Sequence, residues 1–143
     1  MIVIGSGGHA RVVADAARSA GFIIHGFIDI NYHGQNEHIL GSPVLGGIEL
    51  LHELDHLKYS IIVAIGDNTK RAYHYLEAQK KGFSTPTVIH PTAVVSNDCV
   101  IENGVFINTS AIINAEAKIG ENTIINTSAI IEHEVVVGKH SHI

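Results

Sequence analysis

The sequence holds a single cysteine, Cys99. One thiol cannot close an internal disulfide, and a multi-cysteine zinc site is excluded with it. Charge is scarce as well: 16% of the 143 residues are charged, and the formal net charge is -5. So little basic surface argues against broad electrostatic binding to nucleic acid or to an anionic membrane. No apolar run approaches the roughly 20 residues that span a bilayer. The opening stretch from Met1 to Arg11 carries neither a basic leader nor a long apolar segment. It does not read as a signal peptide, and a cytoplasmic protein is the expectation. What is present suffices for a buried core, since 45% of the residues are hydrophobic. The length allows one ordinary domain or two small ones.

Leucine is also missing, but only from one half. Leu40, Leu45, Leu50, Leu51, Leu54, Leu57 and Leu76 all lie in the first part of the chain, and none follows Leu76, where Ile and Val take over. Leucine suits helices and β-branched residues suit strands, so the grammar changes from mixed α/β to β. The join falls near Thr85-Pro86-Thr87, which divides the chain into residues 1–85 and 86–143. In the first part, apolar runs at Met1–Ile4, Phe22–Ile28 and Ile61–Ile65 read as strands. Arg11–Ala20, Ile48–Leu57 and Thr69–Lys81 read as helices, the first with Val12, Val13, Ala16 and Ala17 at helical spacing. Strands alternating with helices imply a parallel sheet with right-handed crossovers.

The second part repeats. Every sixth residue from Ile89 (Val95, Ile101, Ile107, Ile113, Ile119, Ile125, Ile131, Val137, Ile143) is Ile or Val. Two positions before each lies a small or medium residue such as Ala93, Cys99, Ala111, Ala117 or Ala129. This is the hexapeptide pattern of a parallel β-helix, with three short strands per triangular coil and the aliphatic residues stacked down its axis. Corners need tight turns, and Asn97, Asn103, Gly104, Asn108, Asn114, Gly120, Asn122, Asn126 and Gly138 are the candidates for the positive φ found there. Ile89 to His142 makes three coils, and Ile143 opens a further hexapeptide without a cap. A solenoid needs a terminal cap, so the sequence reads as cut short at its C-terminus.

Four constellations bear on chemistry. Gly5-Ser6-Gly7-Gly8-His9-Ala10 follows the first strand and opens the first helix, fitting G-x-G-x-x-G/A, with Asp29 about twenty residues on. Glycines let the backbone approach a phosphate, and the helix N-terminus supplies N–H donors. A domain this small lacks a second mononucleotide half, which favours a single nucleotide over a dinucleotide. Ile65-Gly66-Asp67-Asn68 ends another strand, where Asp67 or Asn68 is either a helix cap or a ligand contact. Arg71, just beyond, either meets a phosphate or lies in solvent. His52-Glu53-Leu54-Asp55-His56 matches the zincin pattern H-E-x-x-H. Ile48, Leu51 and Leu54 would form the buried stripe of that segment, leaving the histidines on its solvated side, so no metal is expected. His133-Glu134 lies on the outside of the repeat, where a neutral imidazole can accept a proton from an attacking amine or hydroxyl. Neighbouring strand residues point to opposite sides except at a corner, and spacing alone favours a plain surface histidine.

The glycine loop, then Ala64-Ile65-Gly66-Asp67-Asn68, then hexapeptides containing Asn126-Thr127-Ser128-Ala129-Ile130-Ile131-Glu132-His133-Glu134 together resemble one family along essentially the whole chain. It is the hexapeptide-repeat sugar acyltransferases, the sialic acid O-acetyltransferases and UDP-4-amino-sugar N-acetyltransferases. The resemblance implies a Rossmann-like nucleotide-sugar-binding domain followed by a left-handed parallel β-helix, and acetyl-CoA as co-substrate. It makes His133 the general base with Glu134 orienting it. Gly7, Gly8, His9, Asp29 and Asn68 become candidates for acceptor contact, and Asn126 and His142 would position the thioester or the acceptor. It further implies a homotrimer with active sites between neighbouring prisms. Family members continue for several more coils, so the 143-residue chain alone is expected to be weakly active or inactive. Two other readings stay open at this point: a nucleotide-binding protein whose β-helix only trimerises, and an NAD-binding protein.

Overall fold

The computed structural model describes residues 1–34 and 36–143. The first part is a five-stranded sheet built from β1 (Ile2–Ile4), β2 (Gly26–Ile28), β3 (His38–Ile39), β4 (Ser42–Gly46) and β5 (Ile61–Val63). The strand order is β3-β4-β2-β1-β5. All pairings are parallel except the β3–β4 hairpin. The expected strand from Phe22 is shorter because the Phe22 amide turns back to the Ala17 carbonyl, closing α1 (Gly8–Ser19). Val3, Phe27 and Ile62 face α1, whereas Ile2, Ile4, Ile28, Ile61 and Val63 pack with Tyr75 and Ala78 of α2 (Asn68–Lys80). Ala10, Val13, Ala14 and Ala17 form the inner stripe of α1, and Val12 lies outside it. The segment expected to be a helix from Ile48 to Leu57 is a 3-10 turn over Ile48–His52. Asp55 ends it: its carboxylate accepts from the Leu57 amide and its carbonyl from the Lys58 amide, an alternative to helical bonding that leaves Leu57 in solvent.

The second part has nine two-residue strands on three faces of a prism. One face holds β6 (Val88–Ile89), β9 (Phe106–Ile107) and β12 (Ile124–Ile125); the next holds β7 (Val94–Val95), β10 (Ile112–Ile113) and β13 (Ile130–Ile131). The last holds β8 (Val100–Ile101), β11 (Lys118–Ile119) and β14 (Val136–Val137). Every pair is parallel and joins residue i to i+18, as Ile112 to Ile130. The second residue of each strand points inward, so Ile107, Ile113, Ile119, Ile125, Ile131 and Val137 stack with Val105, Ala111 and Ala117 into one core. Each such burial is worth about 1.5–3 kcal/mol as an upper estimate.

The corners differ from expectation. Positive φ recurs every six residues at Gly104, Ser110, Glu116, Asn122, Ser128, Glu134 and His140, so Gly104 and Asn122 alone of the expected residues take it. Asn108 and Asn126 instead stand just before a corner, where each side chain accepts from the next backbone amide at 2.8 and 2.9 Å. Gly120 serves by size rather than by φ: a Cβ there would lie 2.6 Å from the Lys139 nitrogen on the following coil.

The prism docks through its first face. The outward residues Val88, Phe106 and Ile124 join the α1 core, so that helix is covered on both sides. His142 continues the same outward column, paired to Ile124. The outward residues of the other two faces, Val94, Ile130, Val100 and Val136, are exposed.

Candidate active site

The sheet order places a topological switch between β1 and β5, since β1 leads through α1 to β2 on one side while β5 lies on the other. Ligands of open α/β sheets bind beyond the strand ends at such a switch. Two loops meet there, Gly5–His9 after β1 and Gly66–Asn68 after β5. Gly5 has φ +116°, and a Cβ would sit 2.7 Å from the Ala64 carbonyl oxygen, so only glycine fits. Gly7 and Gly8 are exposed with open space where a side chain would be. Among the described residues no side chain caps α1, so its first amides lack a side-chain partner. Asp67 is the cap of α2, accepting from the Lys70 amide at 2.8 Å, and Asn68 Oδ1 accepts from Arg71 Nη2 at 2.7 Å.

His9 and His142 close the crevice from the prism side. The His9 ring meets Phe106 edge-on at 5.8 Å and lies 5.9 Å from His142. Its Nε2 is buried with no hydrogen-bond partner among the described residues. Burial first, then the nearby His142 and Arg71, push the His9 imidazole down to about 4, so it is neutral near pH 7. His142 Nδ1 faces the Gly66 carbonyl at 3.4 Å and its Nε2 faces the Asn126 amide nitrogen at 3.2 Å. A neutral ring donating from Nδ1 and accepting at Nε2 satisfies both contacts. Asp29, at the end of β2, is buried, and one carboxylate oxygen accepts from the Asn31 amide in a local turn.

Arg71 does not lie in solvent. It is 1% exposed and donates to carbonyls of both parts of the chain. The zincin reading fails on geometry. The segment is not an α-helix, His52 Nδ1 sits 2.8 Å from Lys81 Nζ, and the His56 ring packs on Phe83. The two histidines therefore do not converge. Cys99 is half-buried in the prism core, as its small inward position predicts.

His133 and Glu134 occupy a corner between the faces carrying β13 and β14. Glu134 has φ 61° and its amide donates to the Ala115 carbonyl, so the chain reverses there and the alternation of strand side chains is suspended. The carboxylate accordingly reaches its neighbour: His133 Nδ1 to Glu134 Oε2 is 3.0 Å. That contact assigns a proton to Nδ1 and leaves Nε2 outside it on a largely exposed side chain. Ala115 and Glu116 of the coil below flank the pair. This corner lies opposite the docked face. Within one chain the structure brings Gly7, Gly8, His9, Asn68, Asn126 and His142 together and leaves His133 and Glu134 apart from them. Sequence reasoning missed Phe106 and the Gly66 carbonyl as crevice elements; the outward column of a hexapeptide face carries the signal for the first.

An α/β crevice docked on a hexapeptide prism is the left-handed β-helix architecture of the solved hexapeptide-repeat acetyltransferases. Residues 1–77 match the family described as PglD N-terminal domain. The chain therefore belongs to the hexapeptide-repeat sugar acetyltransferases that carry this domain. It is 36% identical to a histidine variant of perosamine N-acetyltransferase from Caulobacter crescentus, solved with CoA and GDP-perosamine, with a TM-score of 0.93 over 99% of this chain. The chain spans 66% of the length of that protein. The acetyltransferase domain of PglB from Neisseria gonorrhoeae, in complex with acetyl coenzyme A, is 32% identical, with a TM-score of 0.90 over 99% of this chain and 68% of that one. WeeI from Acinetobacter baumannii, at 21% identity and a TM-score of 0.85 over 99% of this chain and 67% of that one, shares the fold. No curated protein gives a significant match.

Proposed function

We propose that the protein transfers acetyl from acetyl-CoA to an amine or hydroxyl of a nucleotide-activated sugar. The observation that carries this is the 3.0 Å His133–Glu134 contact at an exposed prism corner, which leaves Nε2 free as a base. Relatives over 30% identical bind CoA with GDP-perosamine, or acetyl coenzyme A, which supports an amine as the first acceptor to test. The neutral sugar nitrogen attacks the thioester carbon as His133 Nε2 takes its proton. Backbone amides are the expected donors to the tetrahedral oxyanion. Collapse breaks the carbon–sulfur bond, and the imidazolium returns the proton to the leaving thiolate, so amine and acetyl-CoA become amide and CoA thiol. Glu134 holds the ring in its Nδ1–H tautomer and stabilises the charge that develops on it.

Acceptor recognition falls to residues 1–85, with Gly7, Gly8, His9, Asp29 and Asn68, and acyl transfer to residues 86–143, with Asn126 and His142 at the thioester or the acceptor. Among the described residues the sheet has one β1–α1–β2 unit and no second mononucleotide half, which supports a single nucleotide over NAD. Because the base and the crevice lie at opposite sides of one prism, a complete site needs a second copy, and exposed Val94, Ile130, Val100 and Val136 offer apolar surface for it. A homotrimer is the assembly we propose, acting in the cytoplasm. Among the described residues, no helix is long and apolar enough to cross a membrane.

His133→Ala tests the proposal. Thiol release from acetyl-CoA with a nucleotide amino sugar should fall by about 10²–10⁴-fold while acceptor binding persists. A rate within threefold of the parent leaves His133 as surface, and a parent that binds the nucleotide sugar but releases no thiol supports the non-catalytic, trimerising reading.

A further inference from the structure

We propose that Arg71 is a positioning residue of the acceptor crevice, acting through Gly66, Asn68 and His142; this rests on the transferase reading above. Its Nε donates to the Asn122 carbonyl at 3.0 Å, and Nη1 to the Ile65 and Gly66 carbonyls at 3.0 and 3.1 Å. Nη2 donates to Asn68 Oδ1 at 2.7 Å and to the His140 and Ser141 carbonyls at 2.8 Å each. Three of these acceptors belong to the segment after β5 and three to one corner of the prism on two successive coils. No carboxylate pairs with the guanidinium among the described residues. A buried cation bonded to carbonyls, with only the nearby charge of Asp67 to balance it, is a poor device for stability, since a well-packed apolar residue generally does as well or better. What it supplies is geometry: a planar fork with fixed donor directions.

That geometry ends on groups that face the crevice. The Gly66 carbonyl is shared between Arg71 and His142 Nδ1, so the guanidinium sets the acceptor that orients the His142 ring. Ser141, held through its carbonyl, is the residue before His142. Asn68 gives its Oδ1 to Arg71, which turns its amide N–H₂ outward as a donor to ligand. One side chain thus fixes the acceptor loop and the His142 column of the prism in a single register. Lysine at this position keeps the charge and loses the fork.

The test compares Arg71→Lys with Tyr75→Phe. Tyr75 bonds the Asn103 carbonyl and packs on the His140 ring at the same junction, and among the described residues it makes no hydrogen bond to Gly66, Asn68 or His142. In the full chain, Arg71→Lys should raise KM for a nucleotide amino sugar about tenfold and weaken calorimetric binding of UDP or GDP to match, with KM for acetyl-CoA and kcat within about threefold. Tyr75→Phe should lower the unfolding midpoint and leave acceptor KM unchanged. Asn68→Ala, which removes the group Arg71 aims, should reproduce the acceptor defect without loss of stability and keeps the inference testable if Arg71→Lys does not fold. An unchanged acceptor KM in Arg71→Lys, equal rises in Arg71→Lys and Tyr75→Phe, or an unaffected Asn68→Ala overturns the proposal. A parent protein that neither binds UDP or GDP nor releases thiol overturns the transferase reading and this inference with it. One that does both while the variants behave as parent overturns this inference alone.

Discussion

Replacing His9 by Phe should flatten the acid limb of the protein's stability. The His9 ring lies against Phe106 with a buried, unpartnered Nε2, and its protonation is pushed down from the usual 6.5 to about 4. The unfolded chain takes up this proton near pH 6.5 and the folded chain only near pH 4. Between those values the unfolded state binds more protons, so this contribution is intact above pH 6.5 and is lost as pH falls to about 4. At 1.36 kcal/mol per pH unit the full displacement is worth about 3 kcal/mol; solvent access to part of the ring lowers this to about 1–2 kcal/mol. Phenylalanine keeps an edge contact and cannot titrate. Urea unfolding of parent and His9→Phe at pH 7, 5.5 and 4.5 isolates the difference, because every carboxylate is common to both. The parent should lose about 1–2 kcal/mol more than the variant across that range. Parallel pH profiles would refute the claim that the crevice keeps this imidazole dry and neutral.

Two further outcomes follow from packing. Gly5→Ala places a methyl 2.7 Å from the Ala64 carbonyl at φ +116°, so thermal unfolding should show a loss of about 1–3 kcal/mol together with weaker nucleotide binding. Ile119→Ala empties a fully buried seat in the prism core and should cost about 2–5 kcal/mol by denaturant titration.

The prism was legible because one residue class repeats in one phase: Ile107, Ile113, Ile119 and Ile125 occupy the same inward seat on successive faces, and burial leaves no other explanation for their spacing. The corners were not. Ser110, Glu116 and His140 sit at positive φ without glycine or asparagine, because the coil ladder on either side holds the backbone there regardless of local preference. The same effect left the contact within the His133–Glu134 pair undecided by spacing, since it depends on a corner that Glu134 does not advertise. The β3–β4 hairpin escaped notice because its turn is Leu40-Gly41, with leucine at φ 49° where an asparagine signal is usual. The glycine loop was readable from spacing alone. Arg71 was not, since its acceptors are carbonyls up to 70 positions away, which leave no mark on side-chain identity.

The docked column Val88–Phe106–Ile124–His142 also governs how such a chain tolerates insertions. Adding six residues within the prism would keep every aliphatic side chain on the axis and every corner at its period. It would nonetheless rotate all that follows by one face and bring a different outward column against α1. Adding eighteen restores the column one storey higher. The hexapeptide is thus the unit of the core, but the whole coil is the unit in which the protein can lengthen without losing its partner domain.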